Sequence, residues 1–240
     1  MTGASTRAVS PRSHGLLTTI LLSLGSTALD AVLLALALGG APVLIGHARA
    51  LTLLAAWGVG GLVLALLAPV RTQEVVADSR ENSGLLAGLG LLPLLTPPIA
   101  ALGERLALGL LPGGPWLRWS GVGISAGGLA LRIAAMTQLG SRFSPLVAVQ
   151  REHALETRGL YARIRHPGYL GSWICAFGAM LAFGSALGLL TLVPFTALLG
   201  IRARREEALL ERHFGDVYRA YRARTGAFLP RFGAPPDPRR

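Results

Sequence analysis

Long apolar stretches separated by short polar segments dominate the sequence. A helix needs about 20 mostly apolar residues to cross the hydrocarbon core of a bilayer. The stretches that reach this length are residues 16–40, 51–70, 85–103, 116–138 and 169–201. Asp30 interrupts the first of them, so the pattern defines the position of this stretch in the bilayer less well than that of the others. The pattern therefore predicts an all-α, polytopic transmembrane protein.

The last apolar stretch is too long for a single crossing. Gly184, Ser185 and Gly188 lie near its middle and predict a tight turn between two short helices. This C-terminal helical hairpin gives about six spans, with a range of five to six. It also returns the chain to the membrane face from which it started, so the polar segments before and after it can meet.

Composition supports the membrane assignment. The 240 residues are 52% hydrophobic and 15% charged, with a mean hydropathy of +0.52, whereas soluble domains carry about 25% charged residues. The net charge of +11 is the difference between 23 basic residues, all arginine, and 12 acidic residues. Aromatic residues are few and are not interleaved with these arginines, so no base-stacking surface for nucleic acid is indicated. Cys175 is the only cysteine, which excludes an intramolecular disulfide.

The arginines predict the orientation of the spans. With six spans and a cytoplasmic N-terminus, 20 of the 23 arginines fall in cytoplasmic segments, and only Arg49, Arg105 and Arg118 fall on the opposite side. Because cytoplasmic loops are enriched in basic residues, we expect both termini in the cytoplasm. We expect residues 1–130 to form generic N-terminal spans and residues 131–240 to carry the chemistry.

Polar segments flank the hairpin on both sides. A stripe of apolar and aromatic residues at helical spacing predicts a cytoplasmic amphipathic helix after it: Leu210, Phe214, Tyr218 and Tyr221. Such a helix can simply lie on anionic lipid. The adjacent Glu206 and Glu207 are not needed for lipid binding. They either pair with neighbouring arginines in a solvated network or hold a cationic ligand.

Three motifs occur in order around the hairpin. They read "RHPGY" at 165–169, "EEALL" at 206–210 and "FGDVYRAY" at 214–221. Taken alone, His166 and Pro167 can simply start a helix. Proline is tolerated there because the backbone N–H that it lacks would have no partner in the first turn. Together, the motifs resemble the isoprenylcysteine carboxyl methyltransferase and phospholipid methyltransferase family. Its C-terminal half has Arg-His-Pro-x-Tyr, two short spans, Glu-Glu-x-x-Leu and Phe-Gly-x-x-Tyr-x-x-Tyr. The upstream "VQREHALETRGLY" is also similar, and the resemblance covers about residues 137–232.

The resemblance implies an S-adenosylmethionine-dependent membrane methyltransferase with a cytoplasmic cofactor site. The methyl acceptor is lipophilic and enters from the bilayer; an isoprenylcysteine-type carboxylate is favoured, and a phospholipid amine or a small thiol stays open. Arg202 and Arg165 are implied as catalytic, with Arg202 placed to hold an acceptor carboxylate. The implied cofactor-binding positions are Gln150, His153, Ala154, Leu155, Glu156, Tyr161, His166, Pro167, Gly168, Tyr169, Glu206 and Glu207.

The sequence departs from the family pattern in two places. The family often has Leu-Val after its histidine, where this chain has Ala154-Leu155-Glu156, and the C-terminal Arg-x-Pro-type ending appears only loosely as "TGAFLPRF". The cofactor half of the resemblance is therefore better supported than the acceptor half.

Two other functions stay open at this level. An NADPH-dependent membrane reductase would place the arginines at 202–205 and 219–224 against a 2′-phosphate, although Glu206 and Glu207 would repel that phosphate. A non-catalytic membrane component would instead dock a partner through its polar C-terminal part. The sequence gives no oligomeric state.

Overall fold

The computed structural model of the chain describes residues 12–67, 83–139 and 155–231. The α-helices in these ranges are α1 Arg12–Leu38, α2 Ala41–Gly46, α3 Ala48–Leu67, α4 Ser83–Arg105, α5 Gly114–Leu139, α6 Pro167–Phe183, α7 Leu189–Phe214 and α8 Asp216–Arg224. Short 3₁₀ turns lie at Gly159–Ala162 and Ala186–Gly188. Pairing between extended segments in the described ranges is limited to isolated bridges. The predicted all-α class is confirmed.

Most of the helices have membrane-spanning length. The helical segments long and apolar enough to cross a membrane are Leu16–Leu38, Ala48–Leu67, Gly84–Arg105, Gly114–Leu139 and Ala186–Phe214. The apolar helix α6 has 17 residues, or about 25 Å at a rise of 1.5 Å per residue. The chain is an integral membrane protein of the predicted polytopic helical type. The count of six spans stays a prediction, and α6 is the helix on which it depends.

Helices α6 and α7 form the predicted hairpin. α6 ends at Phe183, and Gly184 then adopts a φ of 62°, in the left-handed region that favours glycine. The Ser185 hydroxyl donates a hydrogen bond of 2.8 Å to the carbonyl of Leu108, in the segment that joins α4 to α5. The turn is therefore fixed to the rest of the helical bundle as well as closed by its own backbone.

Glycines bring α5 and α6 into backbone contact. Gly121 and Gly128 on α5 face Gly171 and Gly178 on α6, and a Cβ atom at each of the four would overlap the backbone of the other helix. Both pairs are spaced by seven residues, two turns of a helix. Small residues allow this close approach between helices in a bilayer. The packing places the start of α6 firmly against the end of α5.

An ion cluster lies at the end of the bundle that holds the hairpin turn, which we call the turn end. The Glu104 carboxylate on α4 accepts hydrogen bonds from Arg49, at 2.7 Å, and from Arg118. Arg49 also donates to the carbonyl of Ala182, in the last turn of α6. The cluster therefore ties α3, α4, α5 and α6 together. It contains two of the three arginines that the sequence analysis separated from all the others.

The segment after the hairpin differs from the single amphipathic helix that was predicted. α7 runs without a break through Glu206 and Glu207 to Phe214. Gly215, with a φ of 53°, then ends it, and α8 begins at Asp216. The predicted stripe of apolar and aromatic residues continues across this break, and for that reason spacing alone did not reveal it. Both carboxylates are therefore carried by a helix that emerges directly from the bundle.

Candidate functional site

The polar segments on either side of the hairpin meet at the end of the bundle opposite the turn, which we call the site end. The backbone N–H groups of Arg165 and His166 donate to the carbonyls of Gly226 and Ala227, at 2.9 and 3.0 Å. The Tyr221 hydroxyl donates to the carbonyl of Tyr161 at 2.7 Å. The chain that follows α8 therefore closes over the start of α6, and the ionisable groups of both segments become neighbours.

Glu207 lies behind this contact and is occupied by protein partners. Its Oε1 accepts hydrogen bonds from Arg165 Nε at 2.8 Å and from the His166 ring at 3.1 Å. Its other oxygen lies 3.6 Å from Arg222 Nε. Arg165 also donates to the carbonyl of Thr225. Since both carboxylate oxygens are engaged and the residue is buried, Glu207 joins α7 to the start of α6 and to the segment after α8.

Glu206 has a different environment from its neighbour in sequence. Its Oε1 accepts a hydrogen bond from the Tyr169 hydroxyl and another, at 3.0 Å, from Arg202 Nε. Arg202 Nε also lies 2.5 Å from the Tyr169 hydroxyl oxygen. The ring of His166 stacks on that of Tyr169 with centroids 5.4 Å apart and planes within 2°. We call Glu206, Tyr169, Arg202 and His166 the mouth cluster.

A cavity of about 760 Å³ opens beside the mouth cluster and continues into the bundle. Its volume lies in the range of about 300–1,000 Å³ that is typical of small-molecule sites. All four residues of the mouth cluster line it, and the walls farther inside are mainly apolar side chains of α3, α4, α5 and α7. The cavity is thus polar at one end and largely apolar in its interior, as a site for a polar and a lipophilic molecule together requires.

Tyr218 supplies an unsatisfied polar atom in the cavity wall. The side chain is 1% exposed, and its hydroxyl has no hydrogen-bond partner among the described residues. A phenol is neutral at physiological pH, and burial is the main cause that raises the pKa of Tyr218 further above its ordinary value. Buried hydroxyls are nearly always hydrogen-bonded, and a ligand in the cavity would supply the missing partner.

The predicted site residues are distributed unevenly around the cavity. Those that line it are Leu155, Glu156, Tyr161, Arg165, His166, Gly168, Tyr169, Arg202 and Glu206. Pro167 is fully buried in the first turn of α6, and Glu207 is buried behind the lining; neither forms part of the wall. Gln150, His153 and Ala154 lie outside the described residues.

Sequence reasoning missed several polar groups that also line the cavity, including a tyrosine, an arginine and an aspartate. Tyr218 was read as part of an apolar stripe, Arg132 as the basic end of a span, and Asp30 as an interruption of a span. For Arg132 and Asp30 the available signal was an ionisable side chain within a predicted span, which in a membrane protein is costly unless it faces the bundle interior.

Comparison with known proteins agrees with the motifs. Residues 116–217 match the family described as phospholipid methyltransferase. The chain is 38% identical over 114 residues to a protein-S-isoprenylcysteine O-methyltransferase of Schizosaccharomyces pombe. This alignment covers 46% of this chain and 48% of that protein. The human protein of the same name is 31% identical over 118 residues, covering 48% of this chain and 42% of that protein. The chain thus spans about half the length of these curated relatives.

A solved structure resembles the chain loosely. It is that of the eukaryotic intramembrane Ras methyltransferase ICMT (isoprenylcysteine carboxyl methyltransferase), with a TM-score of 0.49 and 20% sequence identity over 90% of this chain and 86% of that one.

The class of protein follows from the fold and the site: a helical membrane protein with a polar cluster at the mouth of a cavity that is largely apolar inside. The resemblance to the isoprenylcysteine carboxyl methyltransferase and phospholipid methyltransferase family is confirmed for the region that carries the motifs. The matched region begins at residue 116, within α5, and ends at residue 217, just inside α8.

Proposed function

We propose that the protein is an S-adenosylmethionine-dependent methyltransferase that acts at the membrane on a lipophilic acceptor, with an isoprenylcysteine-type carboxylate favoured. The observation that carries the proposal is the mouth cluster at the opening of a cavity with a largely apolar interior. The names of the curated relatives support the reaction type. In this proposal the site end faces the cytoplasm, as the arginine distribution predicts.

The residues at the mouth fit the chemistry of this cofactor. S-adenosylmethionine supplies a methyl group made electrophilic by a positively charged sulfur, and it also carries an ammonium, a carboxylate and an adenine. The partly exposed Glu206 carboxylate would hold the ammonium of the amino-acid end. The Tyr218 hydroxyl, which has no partner among the described residues, would accept a hydrogen bond from the same ammonium. The stacked pair His166 and Tyr169 offers an aromatic surface beside the cavity. Gly168, without a side chain, leaves room for the nucleoside.

The remaining walls suit a lipophilic acceptor. Apolar side chains from α3, α4 and α5 line the interior and would receive a hydrocarbon chain, so these helices contribute more than spanning. A carboxylate acceptor is already ionised at pH 7 and needs no general base. The protein's contribution would therefore be to orient the acceptor toward the methyl group and to exclude water, since positioning accounts for a large share of the rate in such reactions.

The NADPH-dependent reductase stays as the second candidate because arginines surround the mouth. Several of these arginines are already paired: Arg219 with Asp216 at 2.6 Å and Arg222 with Glu211 at 3.2 Å. Glu206 in the wall would also repel a phosphate. These contacts favour a cofactor with a cationic end.

Titration of the purified protein with each cofactor separates the candidates. We expect saturable binding of S-adenosylmethionine and no binding of NADPH. Binding of NADPH alone would replace the proposal by the reductase, and binding of neither would favour a non-catalytic role. Arg212→Gln is the matched control for nonspecific effects of charge. It removes an exposed arginine of α7 that does not line the cavity.

A further inference from the structure

Asp30 is an acidic side chain in the wall of the cavity, deeper in the bundle than the mouth cluster. It lies on α1, eight residues before that helix ends, and it is half-buried. It interacts electrostatically with Cys175, which follows Tyr169 by six residues on α6, or about 9 Å along the helix axis. Neither cofactor binding at the mouth nor methyl transfer there requires an acid at this depth.

Other polar groups at this depth satisfy one another. The Trp57 indole N–H donates to the Ser125 hydroxyl at 3.3 Å, and that hydroxyl lies 3.4 Å from the Cys175 sulfur. The Asp30 carboxyl, by contrast, forms no hydrogen bond or ion pair with any of the described residues. Since Asp30 lines the cavity, a molecule bound there can reach this carboxyl.

An acid without a partner is costly in the interior of a membrane protein. Acidic side chains within transmembrane helices are rare, and they typically mark a site for a ligand or an ion. A hydrocarbon chain laid over Asp30 would remove the carboxyl from water and give it no hydrogen bond in return. A purely hydrocarbon tail is therefore disfavoured at this one position of an otherwise largely apolar wall.

Ser26 extends the polar surface around Asp30. It lies about one helical turn earlier on α1 and also lines the cavity. Its hydroxyl donates to the carbonyl of Ser23 at 2.9 Å, so its oxygen can still accept a hydrogen bond. We call Ser26 and Asp30 the deep patch. The cavity thus has polar groups at two levels, the mouth cluster and the deep patch, with apolar side chains between them.

A hydroxyl fits the deep patch better than a cation does. A hydroxyl both donates and accepts, so it can bond to a carboxyl whether that carboxyl is ionised or protonated. An ammonium can pair only with the ionised form. Arg132 also brings a positive charge into the same cavity, which disfavours a second cation there.

We propose that Asp30 binds a hydroxyl carried by the lipophilic part of the methyl acceptor. The proposal rests on the proposed function and specifies its substrate class as a lipophilic molecule with a hydrogen-bond donor in its tail, remote from the atom that is methylated. Asp30 thereby selects among acceptors by the tail, whereas the mouth cluster serves the cofactor.

The test compares acceptors that differ only in the tail. The probes are N-acetyl-S-farnesylcysteine, its analogues with a hydroxyl on the first, second or third isoprene unit, and the amine that corresponds to the best of these. Each is measured with wild type, Asp30→Leu, Asp30→Ala and Thr27→Val. Thr27→Val is the matched control, because it removes a hydroxyl from α1 that bonds to the carbonyl of Ser23 and does not line the cavity.

We expect one hydroxyl analogue to have a KM about three- to tenfold below that of the parent acid in the wild type and in Thr27→Val, as one added hydrogen bond predicts. Asp30→Leu should abolish this preference and leave the KM of the parent acid equal or lower, because the apolar side chain now matches the tail. The affinity for S-adenosylmethionine should stay unchanged. If Asp30→Leu does not fold, Asp30→Ala decides by the same comparison.

Several outcomes would overturn the proposal. It fails if no hydroxyl analogue is preferred by the wild type, or if the preference survives the loss of the carboxyl. An equal change of KM for all the probes would indicate a structural role, and a preference for the amine would make Asp30 a cation site instead.

Binding of the same probes separates this proposal from the proposed function. Their affinities are also measured by the rise in Tm that each causes in wild type and in Asp30→Leu. Absence of methyl transfer to every probe contradicts the proposed function. A larger rise in Tm with the hydroxyl analogue than with the parent acid, lost in Asp30→Leu, would still support the deep patch, whereas equal rises would contradict it.

Discussion

Two adjacent glutamates have different surroundings, and the difference could not be read from the sequence. Glu206 faces the cavity, and Glu207 faces Arg165, His166 and Arg222. Successive residues on a helix point about 100° apart, so the motif alone required that they diverge. Which one faces the cavity depended on the rotation of α7 against α6, which is fixed by tertiary packing.

Replacing Glu206 by glutamine should therefore affect cofactor binding, whereas replacing Glu207 by glutamine should affect stability. We expect Glu206→Gln to weaken S-adenosylmethionine binding by about ten- to hundredfold, from the loss of one charge-assisted contact of about 1.5–3 kcal/mol. Glu207→Gln should mainly lower Tm, because it leaves Arg165 and His166 without their carboxylate. Cofactor titration and thermal unfolding in detergent measure both. The reverse pattern would contradict the assignment of the two roles.

Tyr218 gives a second residue-scale prediction. Its hydroxyl has no protein partner in the described ranges, so Tyr218→Phe removes no hydrogen bond from the protein itself. Stability should stay the same or rise slightly, while cofactor affinity falls by about three- to tenfold if the hydroxyl contacts the ligand. Tyr221→Phe is the matched control, because its hydroxyl donates to the carbonyl of Tyr161 and its loss should lower Tm. Unchanged cofactor affinity in Tyr218→Phe would remove this residue from the site.

At the scale of elements, apolar length and turn residues predicted the helices well, and their packing poorly. The hairpin turn falls at Gly184 as expected. Glycine spacing did not identify the interface between α5 and α6, because glycines occur on several faces of α5. Gly121 and Gly128 contact α6, whereas Gly123 and Gly127 have nothing near them. Sequence periodicity cannot rank these faces when all of them are apolar.

This contrast gives a matched pair of variants. Gly128→Ala places a methyl group against the backbone of Cys175 and should force the helices apart, at a cost of about 1–3 kcal/mol. Gly127→Ala, one residue away on the same helix, meets open space and should be neutral or slightly stabilising. Thermal unfolding of both in the same detergent checks the prediction. An equal loss of stability in the two variants would mean that α5 and α6 do not pack through these glycines.

At the scale of the whole molecule, charge separates the two ends of the bundle. Arg49 and Arg118 lie together around Glu104 at the turn end, and the arginine-bearing segments around 163–165 and 202–224 meet at the site end. The sequence predicted this separation because each helix reverses the direction of the chain. It could not predict the cavity, which requires helices far apart in sequence to leave a common space.

Labelling tests the orientation that the arginines predict. In a Cys175→Ala background, a cysteine at Leu108, exposed at the turn end, should react only from outside the cell. A cysteine at Arg212, exposed on α7 near the site end, should react only from the cytoplasm. Reaction of both from the same side would contradict the alternating topology, and exchanged sides would reverse the orientation.

The most direct test of the account is methyl transfer by the wild-type protein and by Tyr169→Phe. The measurement follows labelled methyl from S-adenosylmethionine to N-acetyl-S-farnesylcysteine in reconstituted vesicles. The variant keeps the ring that stacks on His166 but loses the hydroxyl that contacts Glu206 and Arg202. Pro167 still begins α6, so the fold should persist. We predict transfer by the wild type and at least about tenfold slower transfer by Tyr169→Phe. No transfer by the wild type, or equal rates in the two proteins, would contradict the assignment of the mouth cluster as the methyl-transfer site.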